Sequence, residues 1–218
     1  MCGRYCLYSS SETLSRELGI KINTNLEPSH NIAPGDSILS VFINKVSGKK
    51  DYSFSIWGLK TPQNLHINSR VENIDTAPRF RDNWEQNRTL IPANGFYEWY
   101  QDGLRKQPYY VFSQSYEPLY FAGITCSLSE NEKVVVIITT EANSQINHIH
   151  HRMPLLIQKE EHEDWLNCTM GKERAIKNTN NVMLEAHTVS TRVNKIINND
   201  PCLVKEQDPS KDDQMRLF

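Results

Sequence analysis

Apolar residues alternate with serine at a period of two over Tyr52-Ser53-Phe54-Ser55-Ile56-Trp57, the repeat of a strand packed on one face. A β-rich segment at 37–46 precedes it, and Ser47-Gly48 between the two predicts a hairpin turn. The same reasoning predicts strands at 89–91, 96–100, 109–113, 119–125 and 133–139, with Asp102-Gly103 turning the second of these into the third, and a late strand at 182–189. Helical spacing is found at 11–18, where Ser11 is a candidate N-cap for Leu14 and Leu18, and at 142–149 and 159–166. Asn31-Ile32-Ala33-Pro34-Gly35 reads as a turn. Many short strands with few helices and no internal repeat predict an α+β fold: a single domain over 2–204 with curved, barrel-like mixed sheets flanked by helices. From Lys205 the chain turns polar and charged, so 205–218 is expected to be a flexible tail.

Composition narrows the class without choosing a function. A chain of 218 residues with 38% apolar and 23% charged positions suits a soluble globular domain. The formal net charge of -2 does not imply attraction of the whole molecule to nucleic acid, so any such binding must come from a local basic patch. The start lacks the apolar core of a secretion signal, and the most apolar stretch, Val134-Val135-Val136-Ile137-Ile138, has strand length. The five cysteines form no C-x-x-C pair, which argues against a disulfide framework or zinc ribbon and fits a reducing cytoplasm. No cofactor, metal or membrane is expected.

Position 2 adds chemistry. If Met1 is removed, Cys2 presents an amine and a thiol on adjacent carbons, with ordinary pKa values of about 8 and about 8.5, so each supplies some nucleophile near neutrality. The amine condenses with an aldehyde to an imine, and sulfur then attacks the same carbon to close a five-membered thiazolidine. The step needs a proton shuttle and an orienting hydrogen-bond group. By position alone Cys2 is simply the residue after the start.

Its surroundings change that judgement. Met1-Cys2-Gly3-Arg4-Tyr5 resembles the opening of the SOS response-associated peptidase (SRAP) family. Further segments agree in order: Asn31-Ile32-Ala33-Pro34-Gly35, Ile67-Asn68-Ser69-Arg70-Val71-Glu72, Ile91-Pro92-Ala93-Asn94-Gly95-Phe96-Tyr97-Glu98-Trp99, and Ile149-His150-His151-Arg152-Met153-Pro154. Together they span nearly all of residues 2–204. The resemblance implies a bacterial protein that senses abasic sites in single-stranded DNA and shields them by the thiazolidine link to Cys2. It also implies a self-processing peptidase activity that releases Met1, and possible lyase action on the sugar strand.

Within this resemblance Glu98 is the acid/base of imine formation and of Met1 release, His150 protonates the sugar-derived group, and Asn68 orients the sugar or the new bond. Alternation alone favours a solvent-facing Glu98, and asparagine is common in turns. A His148-His150-His151 metal cluster is disfavoured, since no carboxylate or thiol stands at ligand spacing. Arg4 and Arg70 carry over as phosphate clamps, with ion pairing to Glu72 or Glu98 as the structural alternative. Arg152 is a candidate extension of the basic patch, as are Arg79, Arg81 and Arg105. Asn31 and Pro34 are expected to shape the wall of the site. One departure stands out: many relatives carry an aromatic ring in the loop after the Trp-Gly pair, whereas Trp57-Gly58 is followed here by Leu59-Lys60-Thr61-Pro62-Gln63. Base stacking contributes about 1–3 kcal/mol per base, so weaker non-covalent binding is expected unless Lys60 compensates at a phosphate.

Two other readings remain open on the residues alone. One is a thiol peptidase acting in trans, which needs Cys2 but no free amine. The other is a non-covalent reader of modified bases, which does not need Cys2. A monomer at the nucleoid or replication fork is expected. The chain ends in Gln214-Met215-Arg216-Leu217-Phe218, which resembles the pentapeptide that docks bacterial proteins on the replication sliding clamp. Leu217 and Phe218 would fill an apolar pocket while Gln214 makes polar contacts. Deleting 214–218 is predicted to abolish clamp binding in a pull-down while leaving DNA capture intact; equal clamp binding by the truncated chain would refute this.

Overall fold

A computed structural model describes residues 2–103, 105–128 and 132–208. Along the chain the strands are β1 (Tyr5–Leu7), β2 (Ser29–Ile32), β3 (Ser37–Ile43), β4 (Lys50–Trp57), β5 (Leu59–Lys60), β6 (Leu65–His66), β7 (Asn68–Arg70), β8 (Arg88–Ala93), β9 (Gly95–Asp102), β10 (Arg105–Ser113), β11 (Leu119–Ser127), β12 (Lys133–Glu141), β13 (Arg152–Pro154) and β14 (Leu184–Thr188). The helices are α1 (Ser11–Leu18), α2 (Arg81–Gln86), α3 (His162–Leu166) and α4 (Lys172–Thr179). The α+β expectation holds. One sheet has the order β14-β10-β9-β1-β2. A second, seven-stranded sheet runs β11-β8-β3-β4-β12-β13 with β7 also on β12, and is partly ring-like because β11 also pairs with β12; β5 and β6 form a separate two-stranded sheet.

The large core lies between the sheets. Tyr5 and Phe96, directly opposite each other on β1 and β9, pack there with Trp57 and Phe121. The next residues along, Cys6 and Tyr97, face the opposite way, into a smaller core with Tyr110, Phe112 and Leu203. Glu98, two residues beyond Phe96, therefore shares the face of the large core and is only 2% exposed. A solvent-facing Glu98 is thus corrected: over the first four residues of β9, Gly95 to Glu98, both faces are covered, so alternation could not identify an outer one.

Local readings of the sequence hold with shifts. The strand pattern at 52–57 is present, but Ser55 is buried while Phe54 and Ile56 are exposed. The Ser40, Ser53 and Ser55 hydroxyls lie within hydrogen-bond distance of one another, which satisfies them on the inner face. Helix α1 is capped by Ser10, not Ser11: Thr13 N–H donates to the Ser10 hydroxyl, and Gly19 ends the helix at a φ of 65°. The expected helix at 142–149 is a succession of turns. Asn143 Oδ1 accepts from Gln145 N–H, and Ile149 N–H returns to Ile146 O, which breaks the helical ladder. Ordered structure continues past 205, since Gln207 N–H donates to Thr188 O at 2.9 Å. The clamp-like segment 214–218 lies outside the described residues.

Strand β9 is locked by a close approach. A Cβ on Gly95 would lie 2.5 Å from Val111 O and 2.5 Å from the Tyr110 ring, so β9 and β10 meet at a distance only glycine permits. Gly95→Ala is predicted to destabilise the fold by about 1–3 kcal/mol or more. In a thermal melt the variant should unfold several degrees below the parent; an unchanged midpoint would contradict the packing.

Candidate functional site

Strand register delivers Cys2 to the core. Beyond the β1–β9 pairing, Tyr97 N–H donates to Arg4 O at 2.9 Å, so the segment leading back to Cys2 runs antiparallel beside Glu98. Cys2 is fully buried, and its thiol leans toward Arg4 O at 3.9 Å. Burial pushes the Cys2 thiol far above its ordinary value, and the negative charge of Glu98 raises it further. The sulfur is therefore a neutral thiol near neutrality and needs a base to become a nucleophile.

Glu98 fits that need. Burial pushes its carboxyl up to about 7, so it is divided between acid and base forms near neutral pH. His150 Nδ1 stands 3.9 Å from Glu98 Oε2, at the end of the turns that replace the expected helix. Burial lowers the His150 pKa, and the positive charges of His151 and Arg152 lower it further. The ring also accepts a hydrogen bond at Nδ1 from Arg152 N–H at 3.0 Å. His151 is exposed and stacks on His150 with centroids 4.4 Å apart. Asn68 lies on β7, paired in parallel with Ile137 of β12. Both its amide oxygen and its amide nitrogen are buried without a hydrogen-bond partner. A buried amide left open on both sides is costly unless a ligand uses it.

The sequence-predicted basic and wall residues divide. Arg70 is exposed and Pro34 half-buried. Arg4 turns inward: its Nη1 donates to Asn31 Oδ1 at 2.7 Å and to Val193 O at 2.9 Å. The Asn31 amide donates to Val193 O, Lys195 O and Asn198 O, tying β2 to that loop. Arg152 is likewise turned inward, to Glu72. Arg79 contacts His66, and Arg81 pairs with Asp82. Sequence reasoning gave Tyr5 no role and offered Glu72 only as an ion-pair partner of Arg4 or Arg70, whereas it pairs with Arg152. The Tyr5 hydroxyl is buried without a hydrogen-bond partner and lies close enough to Cys2 to be affected by its charge. A separate cavity of about 630 Å³, lined by Phe42, Lys45, Arg88, Lys133 and Cys168 among others, shares no residue with this cluster. Among the described residues no group of three or more His, Cys, Asp or Glu side chains could hold a metal ion. No described helix is long and apolar enough to cross a membrane.

The arrangement sets a carboxyl and an imidazole beside a near-terminal cysteine in an α+β domain. The family model for SOS response associated peptidase (SRAP) matches residues 1–196, and the chain belongs to that family. It is 31% identical over 224 residues to the abasic site processing protein YoqW of Bacillus subtilis, covering 94% of this chain and 99% of that one. It is 29% identical to the abasic site processing protein YedK of Escherichia coli, covering 79% of this chain and 83% of that one. A crystal structure of a protein from Bacteroides thetaiotaomicron superposes with a TM-score of 0.79 at 20% identity, covering 95% of this chain and all of that one, a likeness of fold.

Because the folded-state pKa of Glu98 lies above its ordinary 4.5, the carboxyl supports the fold fully only below about pH 4.5. That support is lost as pH rises through about 7 and amounts to about 3 kcal/mol at one decade per 1.4 kcal/mol. Glu98→Gln is therefore predicted to raise the melting temperature at pH 8 by several degrees and to leave it unchanged at pH 4. A variant less stable than the parent at pH 8 would contradict the burial argument.

Proposed function

We propose that this protein captures abasic sites in single-stranded DNA by a covalent thiazolidine link to Cys2. The observation that carries the reading is the convergence of buried Cys2 with Glu98, whose carboxyl is pushed up to about 7, and with His150 beside it. The names of the relatives, abasic site processing proteins, point to the same substrate.

The chemistry balances without a cofactor. With Met1 removed, the Cys2 amine adds to the aldehyde carbon of the ring-opened abasic sugar, giving a carbinolamine. Protonation of its hydroxyl releases water and leaves an iminium ion. The Cys2 thiol then adds to the iminium carbon: a C–S bond forms, the C=N electron pair returns to nitrogen and the thiol proton leaves to a base. Glu98 can give the proton that releases water and accept the proton from sulfur, because both its forms are populated near neutrality. His150 carries the proton of the sugar-derived hydroxyl, and the open amide of Asn68 orients the sugar. Exposed Arg70, next but one to Asn68, contacts a phosphate, and Pro34 borders the strand. Arg4, Asn31 and Arg152 serve this reading by holding the walls of the site.

The same Glu98 acts in release of Met1, and strand cleavage is a further possible outcome at the captured sugar. The 214–218 segment is proposed to bring a monomeric protein to the sliding clamp at the replication fork. A peptidase attacking other proteins through a Cys2 thiolate is less well supported, because burial holds the sulfur in its neutral form.

Incubating the processed protein with a single-stranded oligonucleotide containing one abasic site is predicted to give an adduct that survives denaturation. Cys2→Ala should give none, and Glu98→Gln should form it about 10²-fold or more slowly. An adduct of normal yield from Cys2→Ala would sink the proposal.

A further inference from the structure

Arg152 sits where three parts of the site meet. Its side chain is 6% exposed and grips Glu72 with two bonds, Nη1 to Oε1 at 2.7 Å and Nη2 to Oε2 at 2.9 Å. Nη2 also donates to Thr139 O at 2.8 Å on β12, the residue opposite Arg70 of β7. Its main-chain N–H and main-chain oxygen lie 3.0 and 3.1 Å from His150 Nδ1, so the main chain of Arg152 holds the ring. Arg152 thus joins the turn after the Asn68 strand and β12, through its guanidinium, to the His150 loop, through its main chain.

Glu72 is the anchor of that joint. It lies in the short 3-10 turn Val71–Asn73 that follows β7 directly. Its main-chain oxygen accepts from Lys172 Nζ at 3.3 Å, and the same ammonium pairs with Asp75 at 2.6 Å, so the turn is fastened to α4 as well. A bidentate carboxylate–guanidinium pair fixes direction as well as distance. We infer that Glu72 is a positioning residue: acting through Arg152, it sets the place of His150 relative to Glu98 and Asn68. This rests on the capture reaction proposed above. It assigns Arg152 to the architecture of the site, where the sequence had suggested a phosphate contact.

Two consequences separate this role from a merely structural one. Misplacing a proton-transfer group by about 1 Å costs on the order of 10²-fold in rate. Losing the Glu72 charge also leaves the Arg152 cation uncompensated beside His150. The charged or titratable groups acting on His150 include Glu98 from β9, the amino terminus, stacked His151, and Arg152 itself. An uncompensated cation makes protonation of the imidazole harder, so the rate limb set by His150 moves to lower pH.

The test compares the parent chain with Glu72→Gln and Glu72→Asp. Crosslinking rates are measured from pH 5.5 to 8.5, and non-covalent affinity is measured with an oligonucleotide carrying a tetrahydrofuran in place of the abasic sugar. Glu72→Gln should crosslink about 10- to 100-fold more slowly at pH 7, with its His150 limb at lower pH and its affinity within about twofold of the parent. Glu72→Asp, which keeps the charge, should recover part of the rate and the parental limb. An NMR titration of the His150 ring in each variant gives the same answer without activity, and it should show a lower midpoint only in Glu72→Gln. Unchanged rate and midpoint in Glu72→Gln overturn the inference. So does a changed affinity with an unchanged rate, which makes Arg152 a phosphate ligand instead. A parent chain that forms no adduct at all overturns the proposed function first, and this inference with it.

Discussion

A carboxyl group held in the large core beside a near-terminal cysteine is the constraint on which the rest of the structure depends. Water would hold Glu98 ionised at neutral pH; the core raises its pKa to about 7 and makes it a two-way proton carrier. The same burial keeps the Cys2 sulfur protonated until a base is at hand. Their pairing follows from three residues of β1, whose register against β9 brings the amino-terminal segment alongside Glu98.

The fold surrounds this pairing with elements from distant parts of the chain. β7 brings Asn68 beside β12, the turns at 144–149 bring His150 to within 3.9 Å of Glu98, and Arg152 joins those two parts. Arginines that sequence logic offers to DNA are partly taken up in this framework: Arg4 by Asn31 and Arg152 by Glu72. Of the arginines carried over as possible phosphate contacts next to the site, Arg4 is half-buried, Arg152 buried and Arg70 exposed. Covalent capture suits such a surface, since the bond itself replaces long residence.

The sequence made the strand-rich body legible through alternation in β4 and through short β-rich or apolar runs of strand length, such as Val134–Ile138 in β12, bounded by turn residues. It did not reveal β1, which has three residues, all buried, and takes its partners from β2 and β9. Spacing of Ile146 and Ile149 imitated a helix, but Asn143 redirects the backbone into turns. The α2 and α4 helices escaped because Trp84 is the only buried side chain in the first, and only Ala175 and Thr179 are buried in the second. The principal site residues were legible only through ordered motifs. Nothing in the alternation of β9 says that both its faces are covered over Gly95 to Glu98, and it is this that makes Glu98 unusual. Glu72 stood in one of those motifs, yet its role becomes visible only when Arg152, 80 positions away, is seen to close on it.

The claim that nitrogen and sulfur of Cys2 seize one carbon is tested most directly by analysing the linked peptide itself. Protein joined to an abasic oligonucleotide is digested with nuclease and protease, denatured, treated with a thiol alkylator and weighed by mass spectrometry. The account predicts an amino-terminal peptide beginning at Cys2 that carries the sugar remnant less one water and takes up no alkylator at Cys2. A sugar-bearing peptide whose Cys2 thiol is still alkylated, or a remnant found on a lysine, would contradict it.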